Sequence, residues 1–231
     1  METLLITIAV FIAFHMVPAI GPIRRGLISV VGQVPYIVGY SMLSLGLLGW
    51  VGVAYAEADY VELWQQATWM RWVPLVLMYP ACALLVGSLA HANPLSVEFR
   101  AGGLRGDPFN PEKPGIVSVT RHPLMWSFVL WAVAHMVPNG DVASLLMFGL
   151  FALLGLAGPK ILDAKAKRKL GAEKWAELSG PTSNVPFIAI LKGSIPADWG
   201  NVFCQPAIGG MILYAVLMGG HIFVIGASPL P

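Results

Sequence analysis

At 231 residues, 57% of them hydrophobic and 11% charged, the chain carries less than half the share of charged residues, about 25%, that covers a soluble globular protein. Its net charge of +2 comes with no Lys/Arg stripe interleaved with aromatics, which excludes nucleic acid as a partner. Cys82 and Cys204 sit in or beside apolar segments without CxxC spacing, which excludes a disulfide framework and a thiolate zinc site.

The mean hydropathy of +0.72 points to a single membrane bundle. The 25 glycines and 18 prolines suit that class, because neighbouring helices satisfy displaced backbone groups and small residues let helices approach. About 20 apolar residues cross a bilayer as helix. By that measure the predicted spans are residues 4–20, 36–54, 73–90, 123–137, 142–159 and 205–225. The first lacks the positive n-region of a signal peptide and reads as a retained helix. The fourth and fifth are separated only by Pro138, Asn139, Gly140 and Asp141, a tight helical hairpin in which Asp141 caps the fifth helix.

With the N-terminus out, every basic residue except Arg71 falls on the inner side: Arg24 and Arg25, then Arg100 to Arg121, then Lys160 to Lys192. Glu57, Asp59, Glu62 and Asp141 fall outside. This asymmetry predicts an all-α bundle of about six transmembrane helices with both termini out. Residues 91–122, dense in glycine and proline, predict an ordered turn-rich loop, either a linker or a lid. Residues 161–178 mix apolar positions with Lys165, Lys167, Arg168, Lys169 and Lys174, and predict a short interfacial helix directed at anionic membrane lipid.

Intramembrane histidine is a functional candidate by default. His15, His91 and His122 fall toward the inner face, and His135 and His221 toward the outer. Separated by about 19 Å along one helix, His122 and His135 do not share a metal. His15 and His122, on different helices at compatible depth, suit axial ligation of a haem iron, with ordinary polar packing as the alternative. Pro123 starts a helix, so His122 sits at its N-terminus, where the dipole favours neutral imidazole. Arg121 beside it stands at the boundary, ready for a phosphate or a cofactor carboxylate.

The string from Arg121 to Trp131, followed by His135 and Pro138-Asn139-Gly140-Asp141, resembles the signature of the NnrU family of bacterial membrane proteins. The likeness extends over the His15 segment, Arg24 and Arg25, and Gly158-Pro159-Lys160, so that residues 1–231 form one NnrU-like domain. It implies a multi-pass protein of the bacterial inner membrane and a link to nitrite and nitric oxide reduction in denitrification. The related plant-type zeta-carotene isomerase implies more: haem b held by His15 and His122, Arg121 as a propionate partner, and an apolar polyene as substrate. A non-enzymatic accessory of denitrification is the other reading, so enzyme and accessory stand side by side. The Arg-His-Pro string also resembles membrane methyltransferases that use S-adenosylmethionine, although residues 179–184 interrupt the tyrosine-rich segment of those enzymes. On the haem reading, His15→Ala and His122→Ala each lose the cofactor, and His221→Ala serves as the control.

Overall fold

In hydrocarbon a backbone amide finds its partner only inside its own segment or a closed sheet, so long apolar runs fold as helices. The computed structural model describes residues 1–97, 106 and 108–231. Among these residues the elements are α1 (Glu2–Met16), α2 (Gly21–Val31), α3 (Gln33–Ala56), α4 (Trp72–Ala90), α5 (Pro123–Asn139), α6 (Val142–Leu170), α7 (Ala172–Ser179), α8 (Ile188–Leu191), α9 (Trp199–Val202) and α10 (Ile208–Ile225). No strand forms among the described residues; one isolated bridge pairs Glu62 with Asp141. Among the described residues five segments are long and apolar enough to cross a membrane: Glu2–Ala19, Gln33–Ala56, Thr68–Ala90, Val142–Leu170 and Trp199–Ile225. The predicted fourth span is α5, a 17-residue helix at the short end of the spanning range.

The chain divides into two compact units. The first comprises residues 1–65 and 140–147. In it α1 packs on α3, burying Leu4, Thr7, Phe11, Val51 and Ala54. Pro18 lies in a 3₁₀ turn, Val17–Ala19, that ends α1, and its carbonyl accepts the Tyr36 hydroxyl at 2.9 Å. Gly140 accepts the amides of Leu63 and Trp64 at 2.8 and 3.1 Å, and Asp141 caps the start of α6 by accepting the Ser144 amide at 2.9 Å, as the sequence predicts.

The second unit comprises residues 66–139 and 148–231. Here α4 packs against both α5 and α10. Glycine sets the closest approaches: a Cβ on Gly210 would lie 2.5 Å from the Ala83 Cα, and one on Gly155 would lie 2.6 Å from Val129 and 2.8 Å from the Met125 carbonyl. Polar side chains such as Ser88, Asn93, Thr120 and His122 are buried, while Phe223 and Val224 are 87% and 81% exposed. That inverted distribution is what a lipid solvent selects.

Two expectations change. The predicted break at Pro159 is absent, and α6 runs unbroken from Val142 to Leu170, so residues 161–178 are the end of α6 plus α7 rather than one interfacial helix. The residue before a proline usually leaves the α region because its Cβ meets the proline ring, and Gly158 has no Cβ. The chain breaks instead at Gly171, whose φ is 84°. The loop also departs from a linker or lid in its second half: Gly115 to Thr120 are buried, with Ile116, Val117 and Val119 packed on Leu84. Gly87 makes room, since a Cβ there would lie 2.8 Å from Ile116. Arg100, Arg105, Gly102 and Gly103, which belong to the inner-charge and loop readings, lie outside the described residues.

Candidate functional site

Pro123 opens α5, and the residues before it are hydrogen-bonded to the segment after α7. The Arg121 amide donates to the Ser183 carbonyl at 2.7 Å and the Phe187 amide to the Val119 carbonyl at 2.8 Å. Thr120 Oγ1 and Trp126 Nε1 both donate to the Asn184 carbonyl, at 2.6 and 2.7 Å. Arg121 locks this junction. Its Nε donates to Thr182 Oγ1 at 2.8 Å, Nη1 to Asp163 Oδ2 at 2.8 Å, and Nη2 to the Ser179 and Thr182 carbonyls, both at 3.2 Å. The guanidinium also lies 5.9 Å from the centre of the Trp175 ring. Its side chain is 12% exposed, and every guanidinium nitrogen has a partner within the chain.

His122 is 0% exposed and bonded at both ring nitrogens. Nδ1 lies 2.9 Å from Ser96 Oγ, and Nε2 lies 3.1 Å from Asp163 Oδ1. The Asp163 carboxylate, paired with Arg121, accepts, so Nε2 carries the proton and Nδ1 accepts from the Ser96 hydroxyl. Burial lowers the His122 pKa below its ordinary 6.5, Asp163 pulls the other way more weakly, and Arg121 adds a smaller downward push. The sequence reading missed Ser96 and Asp163. Asp163 left a signal, as the lone acid among the basic residues from Lys160 to Lys169.

His15 lies in the first unit and His122 and Arg121 in the second. The Tyr40 hydroxyl donates to the His15 carbonyl at 2.8 Å, so its oxygen, 3.2 Å from His15 Nδ1, accepts from the ring. Ser44 Oγ also lies 3.2 Å from Nδ1, Phe11 stacks on the imidazole at 5.3 Å, and Nε2 keeps its lone pair. At the C-terminal end of α4, His91 Nδ1 faces the Gly87 carbonyl at 3.3 Å. Nearby, Asp198 accepts from the Gly115 amide at 2.9 Å and from Asn201 Nδ2 at 2.9 and 3.1 Å. Burial pushes the Asp198 carboxyl up, but these bonds, with His91 adding a little, bring it below its ordinary value.

The second unit also holds a cavity of about 380 Å³, within the size range of small-molecule sites. Its lining includes His135, His221, Tyr214, Arg71, Met78 and Met218. His135 Nδ1 donates to the Trp131 carbonyl at 2.8 Å, and His221 Nδ1 to the Ala227 carbonyl at 2.8 Å. Both Nε2 atoms therefore carry lone pairs, the tautomer in which a second bond orients a ligating imidazole. The residues after α10 border the cavity, and Arg71 Nη2 donates to the carbonyls of Ser228 and Leu230. Among the described residues no group of three or more His, Cys, Asp or Glu side chains is placed to hold a bare metal ion.

Helices that present apolar surface outward and are long and apolar enough to cross a membrane define an integral membrane protein of the all-α class. The NnrU protein family model matches residues 3–229, and the chain belongs to that family. No curated protein and no solved structure matches it.

Proposed function

We propose that this membrane protein binds haem b together with an apolar, polyene-like molecule as an isomerase, and that His135 and His221 in the outer cavity supply the ligating nitrogens. The observation that carries the reading is one cavity lined by two histidines, each with Nδ1 fixed on a carbonyl and Nε2 left as a lone pair. An iron porphyrin brings four nitrogens of its own and asks the protein for only one or two axial ligands, so a histidine pair suffices where a bare ion needs more. His122 does not fit that role, because both its nitrogens are bonded inside the chain, and Arg121 has no guanidinium nitrogen left for a propionate or for S-adenosylmethionine. Arg71, at the cavity wall, is the cation positioned to meet a carboxylate there.

Bound in the cavity, haem would supply an iron that acts as a Lewis acid or redox centre toward a double bond. The chain contributes the rest. Leu75, Met78, Leu217 and Met218 exclude water and match an apolar ligand, and the Trp131 and Phe148 rings pack on His135 at 5.5 and 5.0 Å and hold its plane. A denitrification accessory that holds haem without turnover would use the same wall. The two readings part on whether the purified protein converts a cis-polyene.

The test is haem content and the visible spectrum of equal amounts of folded variants supplied with haem. His135→Ala and His221→Ala are expected to lose haem or change its spectrum, while His122→Ala keeps the parental spectrum. Parental spectra from both cavity variants, or no Soret band in the parent, would overturn the assignment.

A further inference from the structure

We infer that Ser96, His122 and Asp163 form a separate site at the inner end of the second unit, in which Ser96 is an acyl-accepting nucleophile toward ester- or thioester-bearing amphiphiles. The three side chains stand in the order that activates a hydroxyl: Ser96 Oγ donates to His122 Nδ1 at 2.9 Å, and His122 Nε2 donates to Asp163 Oδ1 at 3.1 Å. Relative to the familiar hydrolase arrangement the two imidazole nitrogens exchange partners, but the roles are set by geometry and not by which nitrogen serves each. The second carboxylate oxygen of Asp163 is fixed by Arg121 Nη1 at 2.8 Å, so the acid is itself oriented.

The base is 0% exposed and Asp163 is 27% exposed, while Ser96 is only partly buried. The turn that carries Ser96 is held in place: Asn93 Oδ1 accepts the Leu95 amide at 3.2 Å, the Asn93 carbonyl accepts the Ser96 amide at 3.2 Å, and Asn93 Nδ2 donates to the Arg121 carbonyl at 2.9 Å. Nucleophile and base are thus tied through one backbone junction. Asp163 lies one helical turn past Lys160 on α6, where apolar sequence gives way to Lys165, Lys167 and Arg168. A change from apolar to basic sequence is what marks the passage of a helix from hydrocarbon to headgroups.

In the step, the Ser96 oxygen attacks the acyl carbon as its proton passes to His122 Nδ1, with the Asp163 carboxylate stabilising the imidazolium. The acyl C–O or C–S bond breaks, and the leaving alcohol or thiol takes that proton. Water then attacks the acyl-Ser96 ester as His122 takes its proton, the acyl C–Oγ bond breaks, and His122 returns that proton to Ser96 Oγ as the carboxylic acid leaves.

An alkyl fluorophosphonate tests this on the full-length protein in detergent, with the adduct mapped by peptide mass. The expected result is an adduct on Ser96 that is absent from Ser96→Ala and forms about 10²-fold or more slowly in Asp163→Asn. In the parent the labelling rate should rise through one ionisation below pH 7 and then level. No adduct on the parent, or an adduct that persists in Ser96→Ala, overturns the inference. Mapping on the parent keeps the result independent of whether any variant folds. Because the probe reads Ser96 and haem content reads the outer cavity, one reading can fail while the other stands.

Discussion

His122 combines full burial with a lowered pKa, and that has a measurable cost at low pH. The folded protein holds the ring neutral more strongly than the unfolded chain does, so its contribution to stability is complete above the ordinary value of 6.5. It is lost as the pH falls through the lower folded value. Thermal unfolding in detergent between pH 7.5 and about pH 5 should therefore show a falling Tm in the parent, and a smaller fall in His122→Gln, which has no proton to gain. A Tm that falls equally in both would remove His122 from the pH response. The sequence exposed Arg121 and His122 because they form a distinctive string at a helix start. It hid Ser96 and Asp163, because contacts across 26 and 41 residues are made by packing and leave no local pattern. His135 and His221 stood as separate outer residues until α5 and α10 placed them on one cavity wall.

Among the helices, glycine separates contacts that matter from open space. Gly210 and Gly219 both lie in α10, yet a Cβ on Gly210 would sit 2.5 Å from the Ala83 Cα and 2.6 Å from its amide nitrogen, while one on Gly219 meets nothing within 4 Å. Replacing glycine by alanine in an open helix position gains up to about 1 kcal/mol. Where the methyl strikes backbone the change instead costs about 1–3 kcal/mol. Gly210→Ala should therefore lower the unfolding midpoint in detergent and Gly219→Ala leave it level or raise it; equal midpoints would mean that α4 and α10 do not pack this closely. The helices themselves were legible as apolar runs. Their ends were less so, since the outcome at Pro159 was decided by a missing Cβ on its neighbour.

For the molecule as a whole, the distribution of charge makes orientation testable without any assumption about chemistry. In a background lacking Cys82 and Cys204, a membrane-impermeant maleimide should label Glu57→Cys in intact cells and reach Lys169→Cys only after permeabilisation. The reverse pattern would invert the bundle. Both positions are exposed, so access reports sidedness and not burial.

The unbroken α6 has one more consequence. Its 29 residues span about 43 Å, against a hydrocarbon core of about 30 Å. The excess lies at the lysine-rich end, where flexible side chains can reach the headgroups from a range of depths. The apolar part, residues 142–159, spans about 27 Å and by itself matches the core. The boundary between apolar and basic sequence along α6 therefore sets where the helix leaves the hydrocarbon.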